Sequence, residues 1–176
     1  VIDSSFNTDV VTQFTNDYEA GVFAIRGRQQ PVNGMHHEFS EFLSKTGTLS
    51  FFVTVDLYKD RWAAALRKHW HGEGAQPEIF FNAPQNLTDK ELKELTVEYK
   101  VIVTDERTGK PKGHLWKRPP KSDNELWDLT MYNNAAHDML AKEYCDSLLL
   151  DRVDFELFWT MCEQSKPPPY FYTVKR

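Results

Sequence analysis

Residues 94–134 read ELTVEYKVIVTDERTGKPKGHLWKRPPKSDNELWDLTMYNN, and this stretch carries most of what the chain says about its fold. It opens with strict alternation: Leu95, Val97, Tyr99, Val101 and Val103 fall on one side, Thr96, Glu98, Lys100 and Thr104 on the other. That pattern is the mark of a strand half-buried in a sheet. The run breaks at a turn around Thr108-Gly109-Lys110-Pro111 and resumes at His114-Leu115-Trp116. It then crosses the polar loop KRPPKSDNE and reaches a second tryptophan, Trp127, beside Asp128 and Leu129. Two indoles around so hydrophilic a loop are either core rings or the walls of a groove.

Three further segments alternate in the same way. Leu49, Phe51, Val53, Val55 and Leu57 oppose Ser50, Thr54 and Asp56. Val153, Phe155, Leu157, Trp159 and Met161 oppose Asp154, Glu156 and Thr160, and Tyr170, Tyr172 and Val174 make a shorter run. Weaker strand candidates lie at residues 22–25, 62–68, 78–82 and 113–117. Helical periodicity is scarce: residues 89–95 with Thr88 as N-cap, and residues 137–144 with Asn133 or Asn134 as cap. Neither helix is long enough to cover a sheet, and clean alternation suits antiparallel sheets with one wet face. The predicted fold is therefore an all-β, mainly antiparallel sandwich of seven to eight strands with one or two short helices.

The bulk numbers fit one domain of 176 residues with a real core. A net charge of −5 shows no basic footprint of the kind nucleic-acid binders carry. Cys145 and Cys162 are too few for a secreted disulfide scaffold, which points to the cytosol or nucleus. No apolar run is long enough for a membrane helix and no signal peptide opens the chain, so no membrane partner is expected. VIDSSF has no initiator methionine, as in a piece of a longer protein. The triplet Asn86-Leu87-Thr88 matches a glycosylation sequon, a pattern that arises readily by chance.

From Glu38-Phe39-Ser40 through FVTVDLYKDRW (52–62), EIFFN (78–82), residues 97–104, Leu126-Trp127-Asp128-Leu129 and LLDRVDFEL (149–157), the order of features resembles the MATH (meprin and TRAF homology) family. The match departs at Asp128, where the family has glycine, and the first 35 residues have no counterpart. The resemblance implies an N-terminal extension over 1–35, with an added strand and loop, and a TRAF-like sandwich over 36–176. It also implies a non-enzymatic adaptor or scaffold that holds an extended peptide of a partner protein in a shallow groove. Carried over by position, the peptide-binding residues are Phe81, Tyr99, Trp116, Trp127 and Leu129, with Asp128 near the peptide backbone; Lys117 or Arg118, beside them, would favour acidic residues in the peptide. Tyr99 requires a register opposite to the simplest one, because Val97 and Val101 on its side read as core.

Other chemistries find less support in the residues. His69, His71, His36 and His37 lack the further ligands that zinc requires, so no metal or other cofactor is expected. No nucleophile elbow, phosphate loop or HExxH is present, and the expectation is a non-enzyme. The main rival is a single-stranded nucleic-acid binder using Arg61-Trp62, Arg67-Lys68-His69-Trp70 and Trp116-Lys117-Arg118 with Lys121. An assembly domain, pairing through Tyr170-Phe171-Tyr172, is the third reading, and the sequence leaves the oligomeric state open.

Overall fold

A computed structural model of the chain describes residues 1–17, 22–29, 38–45, 47–68 and 85–165. The elements in order are β1 (Ile2–Asp3), α1 (Thr8–Asn16), β2 (Ala24–Arg28), β3 (Phe39–Leu43), β4 (Leu49–Thr54) and α2 (Val55–Leu66). There follow α3 (Asp89–Glu94), β5 (Tyr99–Thr104), β6 (Pro111–Lys117), α4 (Glu125–Ser147) and α5 (Phe155–Gln164). The chain divides into two compact units, Val1–Ala135 and Ala136–Arg176, with the boundary inside α4. Among the described residues no helix is long and apolar enough to cross a membrane.

The all-β sandwich is not the fold. The first unit is mixed α/β, with a four-stranded sheet in the order β1-β2-β4-β3 and a separate two-stranded ribbon of β5 and β6. β1, β2 and β4 run parallel, and only β3 joins antiparallel, with Phe39 opposite Val53 and Leu43 opposite Leu49. Parallel neighbours need a crossover, and α1 provides it between β1 and β2. The central strand β2 shows the burial that such a position demands, with Ala24 and Ile25 fully enclosed. Ser4 pins the end of β1, its backbone N–H and its Oγ both donating to the Ile25 carbonyl at 2.7 and 2.8 Å.

Two alternating runs turn into helix. The run from Leu49 stops at Thr54, where α2 begins, and the strand candidate at 62–68 lies largely in that helix. Tyr58 and Trp62, four apart, bury on one face, and Ala63, Ala64 and Ala65 are strong helix formers. The run from Val153 becomes α5, capped by Asp154, whose carboxylate accepts from Leu157 N–H at 2.9 Å. Phe155, Phe158, Trp159 and Cys162 are spaced for a helix as well as Phe155, Leu157 and Trp159 are for a strand, so a stretch this apolar fits both periods.

The helix expected at 137–144 is the second half of the 23-residue α4, which also contains Trp127. Other expectations agree with the structure. α3 starts at Thr88 with a capping box, Glu91 N–H donating to Thr88 Oγ1 at 3.3 Å and Thr88 N–H to Glu91 Oε2 at 2.7 Å. β6 covers the strand candidate at 113–117, β2 overlaps the one at 22–25 only at Ala24 and Ile25, and the alternating run from Leu95 becomes strand only from Tyr99 on. The candidates at 78–82 and 170–174, and His36, His37, His69 and His71, lie outside the described residues.

The core of the first unit gathers Ile25, Phe51, Val53, Tyr58, Trp62, Trp116, Trp127 and Met131. Phe51 meets the rings of Phe23 and Phe39 edge-on at 5.3 and 6.4 Å. Trp116 and Trp127 lie against each other at 5.5 Å and are 7% and 2% exposed, so both rings of the opening stretch are core. In the second unit the His137 imidazole stacks on Phe155 and Trp159 at 5.5 and 5.2 Å and meets the edge of Phe158. Trp127→Ala should therefore cost roughly 3–5 kcal/mol in urea unfolding. Leu129→Ala, at a residue 54% exposed, should stay within about 0.5 kcal/mol; equal losses at the two positions would contradict this core.

Candidate active site

The carboxyl ends of parallel strands are where open α/β sheets usually bind ligands. Here β1 ends in Asp3, β2 in Gly27 and Arg28, and β4 runs straight into α2, whose first turn carries Asp56. Asp3 Oδ1 accepts from Ser5 N–H at 2.8 Å, and its Oδ2 accepts from the Tyr132 hydroxyl at 3.2 Å. Gly27 leaves room for that hydroxyl, since a Cβ at this position would come within 3.3 Å of it. Burial, reinforced by the charges of Asp3 and Asp128, holds the Tyr132 phenol well above its usual range.

A polar chain leads from Tyr132 across the site. Asn124, the residue before α4, and Asp128 and Tyr132 within it follow one another at intervals of four and so line up along one side. The Asn124 amide donates to Asp128 Oδ2 at 2.8 Å and to Glu98 Oε1 at 3.0 Å. Its oxygen accepts from Arg118 Nη1 at 2.6 Å, which fixes the amide's orientation. Glu98, immediately before β5, accepts on its other oxygen from Lys59 Nζ at 2.6 Å. Both partners of that pair are largely buried, with side chains 12% and 5% exposed. Asp60, one residue on from Lys59, accepts from Lys100 Nζ at 2.7 Å and from the Trp116 indole at 3.0 Å.

Carboxylates outnumber the cations between them, and two of them show it. Burial raises the Asp56 carboxyl to about 6; Lys59 and Lys100 oppose the shift, while Asp60 and Glu98 add to it. Asp56 Oδ1 is buried and has no hydrogen-bond partner among the described residues. Burial also raises Asp128, with the charges of Glu98 and Glu125 adding and Lys59 and the Asn124 hydrogen bond opposing. These are hard oxygen donors of the kind that hold magnesium or manganese. Among the described residues no three of His, Cys, Asp and Glu form a ready-made metal cage. Magnesium does not need one, since it commonly uses one or two carboxylates and completes its shell with water and substrate phosphate. The unpartnered Asp56 oxygen is a donor of the kind such an ion takes.

The residues expected to line a peptide groove are scattered. Trp116 and Trp127 are buried together, Tyr99 is 49% exposed on β5, and Lys117 and Leu129 face solvent. Phe81 lies outside the described residues. Asp128 alone joins the carboxylate site. Sequence reasoning passed over Asp3, Asp56, Lys59, Glu98, Asn124 and Tyr132. The available signals were the spacing of Asn124, Asp128 and Tyr132, and an acid just after each of two apolar strands.

A cluster of half-buried carboxylates beside a small α/β sheet is an arrangement that many enzymes share. The comparison with known families agrees: residues 1–146 match the terminase large subunit gpA endonuclease domain, and the chain belongs to that family. No curated protein and no solved structure matches. The family overturns the MATH resemblance, the peptide-binding adaptor, the non-enzyme expectation and the protein-peptide partner. It also overturns the rival reading of an enzyme-free nucleic-acid binder, because the family is one of nucleases.

The Asp56 shift has a sign that can be checked. Its folded pKa is above the unfolded value, so the folded state binds more protons and stability falls as pH rises from about 4 to about 6. The full penalty is present above pH 6. Asp56→Asn removes it and, after discounting for partial exposure, should stabilise the fold by about 1–2 kcal/mol at pH 8. That gain should shrink as pH falls towards 4, as read from urea midpoints; a pH-independent difference would contradict the burial of this carboxyl.

Proposed function

We propose that this chain hydrolyses the phosphodiester backbone of DNA, with Asp3, Asp56, Glu98 and Asp128 as the catalytic carboxylates. The observation that carries the reading is the convergence of Asp56, Glu98 and Asp128 around one ammonium, Lys59, in a chain of the endonuclease family. The wider setting would be DNA packaging, alongside other packaging components.

Each side chain has a part that follows from its contacts. Asp56 and Asp128, poised above the usual carboxylate range, would hold a divalent ion or accept a proton from the attacking water. When bound, such an ion supplies a Lewis acid for the phosphate and a more acidic water. Asn124 holds Glu98 and Asp128 at a fixed separation through its two amide hydrogens. Lys59 orients Glu98 and keeps the centre from becoming prohibitively negative for a phosphate. Tyr132 stays protonated and donates to Asp3, so it positions that carboxylate and takes no part in proton transfer at neutral pH.

Nicking of supercoiled plasmid in magnesium should fall at least about 100-fold in Asp128→Asn and in Glu98→Gln, in line with the loss of a catalytic group. Magnesium should also raise the melting temperature of the unmutated chain at pH 8 more than that of Asp56→Asn. Nicking by both carboxylate variants at the unmutated rate would sink the assignment.

A further inference from the structure

The charge of this chain is unevenly spread. Residues 99–121 hold seven Lys and Arg against two acids, a net of +5 inside a chain whose total is −5. This segment is the β5–β6 ribbon and the loop that follows it. Tyr99 pairs with Lys117, Val101 with Leu115 and Val103 with Gly113, after which a bulge interrupts the register. The root of the ribbon is fixed: Trp116 is buried against Trp127 and donates to Asp60, and Lys100 is paired with Asp60. The outer half has no such cover. Ile102 is 62% and Val103 37% exposed, and every residue from Glu106 to His114 faces solvent.

The tip is nevertheless ordered. Asp105 Oδ1 accepts from Arg107 N–H at 3.0 Å and Thr108 N–H at 2.8 Å, and Gly109 turns the chain at φ +64°. The turn thus occupies one of the two acids and leaves Arg107, Lys110, Lys112, Lys117 and Lys121 without an ion pair among the described residues. A six-residue strand extends about 20 Å, and a two-stranded ribbon is one of the shapes that the roughly 12 Å wide major groove admits. Both strands meet the carboxylate centre at the root of the ribbon. Glu98 directly precedes β5, and Arg118, directly after β6, holds Asn124.

We propose that the β5–β6 ribbon is the duplex-DNA contact of this chain, with Arg107, Lys110 and Lys112 at its tip and Lys117 and Lys121 at its base neutralising backbone phosphates. The inference rests on the nuclease reading and adds to it the surface by which the chain holds the DNA backbone. Lysines and arginines on phosphate set register and affinity and carry no base information. Because the ribbon grows out of Glu98, its hold on the backbone would also set which phosphodiester meets the carboxylates.

The test is binding of a fluorescent 30-base-pair duplex in EDTA, across potassium chloride from 50 to 300 mM. The triple variant Arg107→Ala/Lys110→Ala/Lys112→Ala is compared with the unmutated chain and with Lys45→Ala/Lys90→Ala/Lys93→Ala, which removes the same charge elsewhere. The tip variant should bind at least tenfold more weakly at 150 mM salt, and its log–log salt slope should be shallower by about 2 to 3. The charge control should keep nearly the unmutated slope. The proposal is overturned if the tip variant keeps the unmutated affinity and slope, if the control loses as much, or if the unmutated chain binds no duplex at 50 mM. Plasmid nicking in magnesium, run in parallel, reads the nuclease assignment separately: nicking with an unaffected tip variant sinks the ribbon alone, and no nicking with a changed slope sinks the carboxylate assignment alone.

Discussion

The Lys59–Glu98 ion pair is the contact on which the arrangement turns. It joins α2 to the start of β5, two segments nearly forty residues apart, at a point where both side chains are almost closed to water. A buried pair of this kind adds little net stability, because each charge gives up its hydration to be there. Its consequence is positional. Glu98 is held on one oxygen by Lys59 and on the other by Asn124, and Asn124 in turn holds Asp128. One ammonium and one amide thus bring α2, the root of β5 and the start of α4 to a single centre. With Lys59 removed, Asp56 and Asp128 would each feel the Glu98 charge with its main opposing cation gone, a repulsion relieved by opening or by taking up protons. The raised Asp56 carboxyl and its unpartnered oxygen are held at some expense of stability.

The tryptophans show how the scaffold supports that centre. Trp116 closes the root of the ribbon, touching Trp127 of α4 with its ring and Asp60 of α2 with its indole N–H. Asp60 is shared with Lys100, so the same residue ties both strands of the ribbon to α2. Trp127 sits one residue before Asp128, and its burial fixes which face of α4 turns inward. The polar loop between the two indoles is hydrophilic because Arg118 and Asn124 serve the carboxylates from it. Packing and site geometry are therefore set by adjacent residues along the same stretch.

Local signals in the sequence were readable where one period or one cap dominated. The strand at Tyr99–Thr104, the Thr88 cap and the turn at Gly109 match the structure, although the half-buried face expected from the alternation does not, since Tyr99 and Val103 are exposed. The fold class was lost at three places with a common cause. In FELFWTMC nearly every residue is apolar, so periods of 2 and 3.6 fit equally well. In VDLYKDRWAAAL the alternation of the preceding strand runs on by chance through Val55 and Leu57 into a helix. In α4 the buried positions include Asp138, which breaks the apolar stripe. With α5 and part of α2 read as strands and α4 cut down to residues 137–144, too little helix remains to cover a sheet, and a sandwich is the consistent reading. The parallel pairing had almost no signal, because β1 has only two residues. The site was hidden for another reason: its acids come from residues 3, 56, 98 and 128, and nothing local marks any of them as partners.

Net charge was the most misleading of the bulk properties. A chain at −5 reads as indifferent to nucleic acid only if charge acts as an average. In physiological salt it does not, because exposed charges more than about 8–10 Å apart are largely screened from each other. A phosphate near the ribbon responds to the lysines beside it and scarcely to the acids of distant helices. An enzyme that cuts a polyanion with carboxylates needs this separation: acids gathered and desolvated at the centre, cations exposed around it, and each group too local to cancel the other. The informative quantity in the sequence is therefore the +5 confined to residues 99–121 beside a dispersed set of acids, and the total says little.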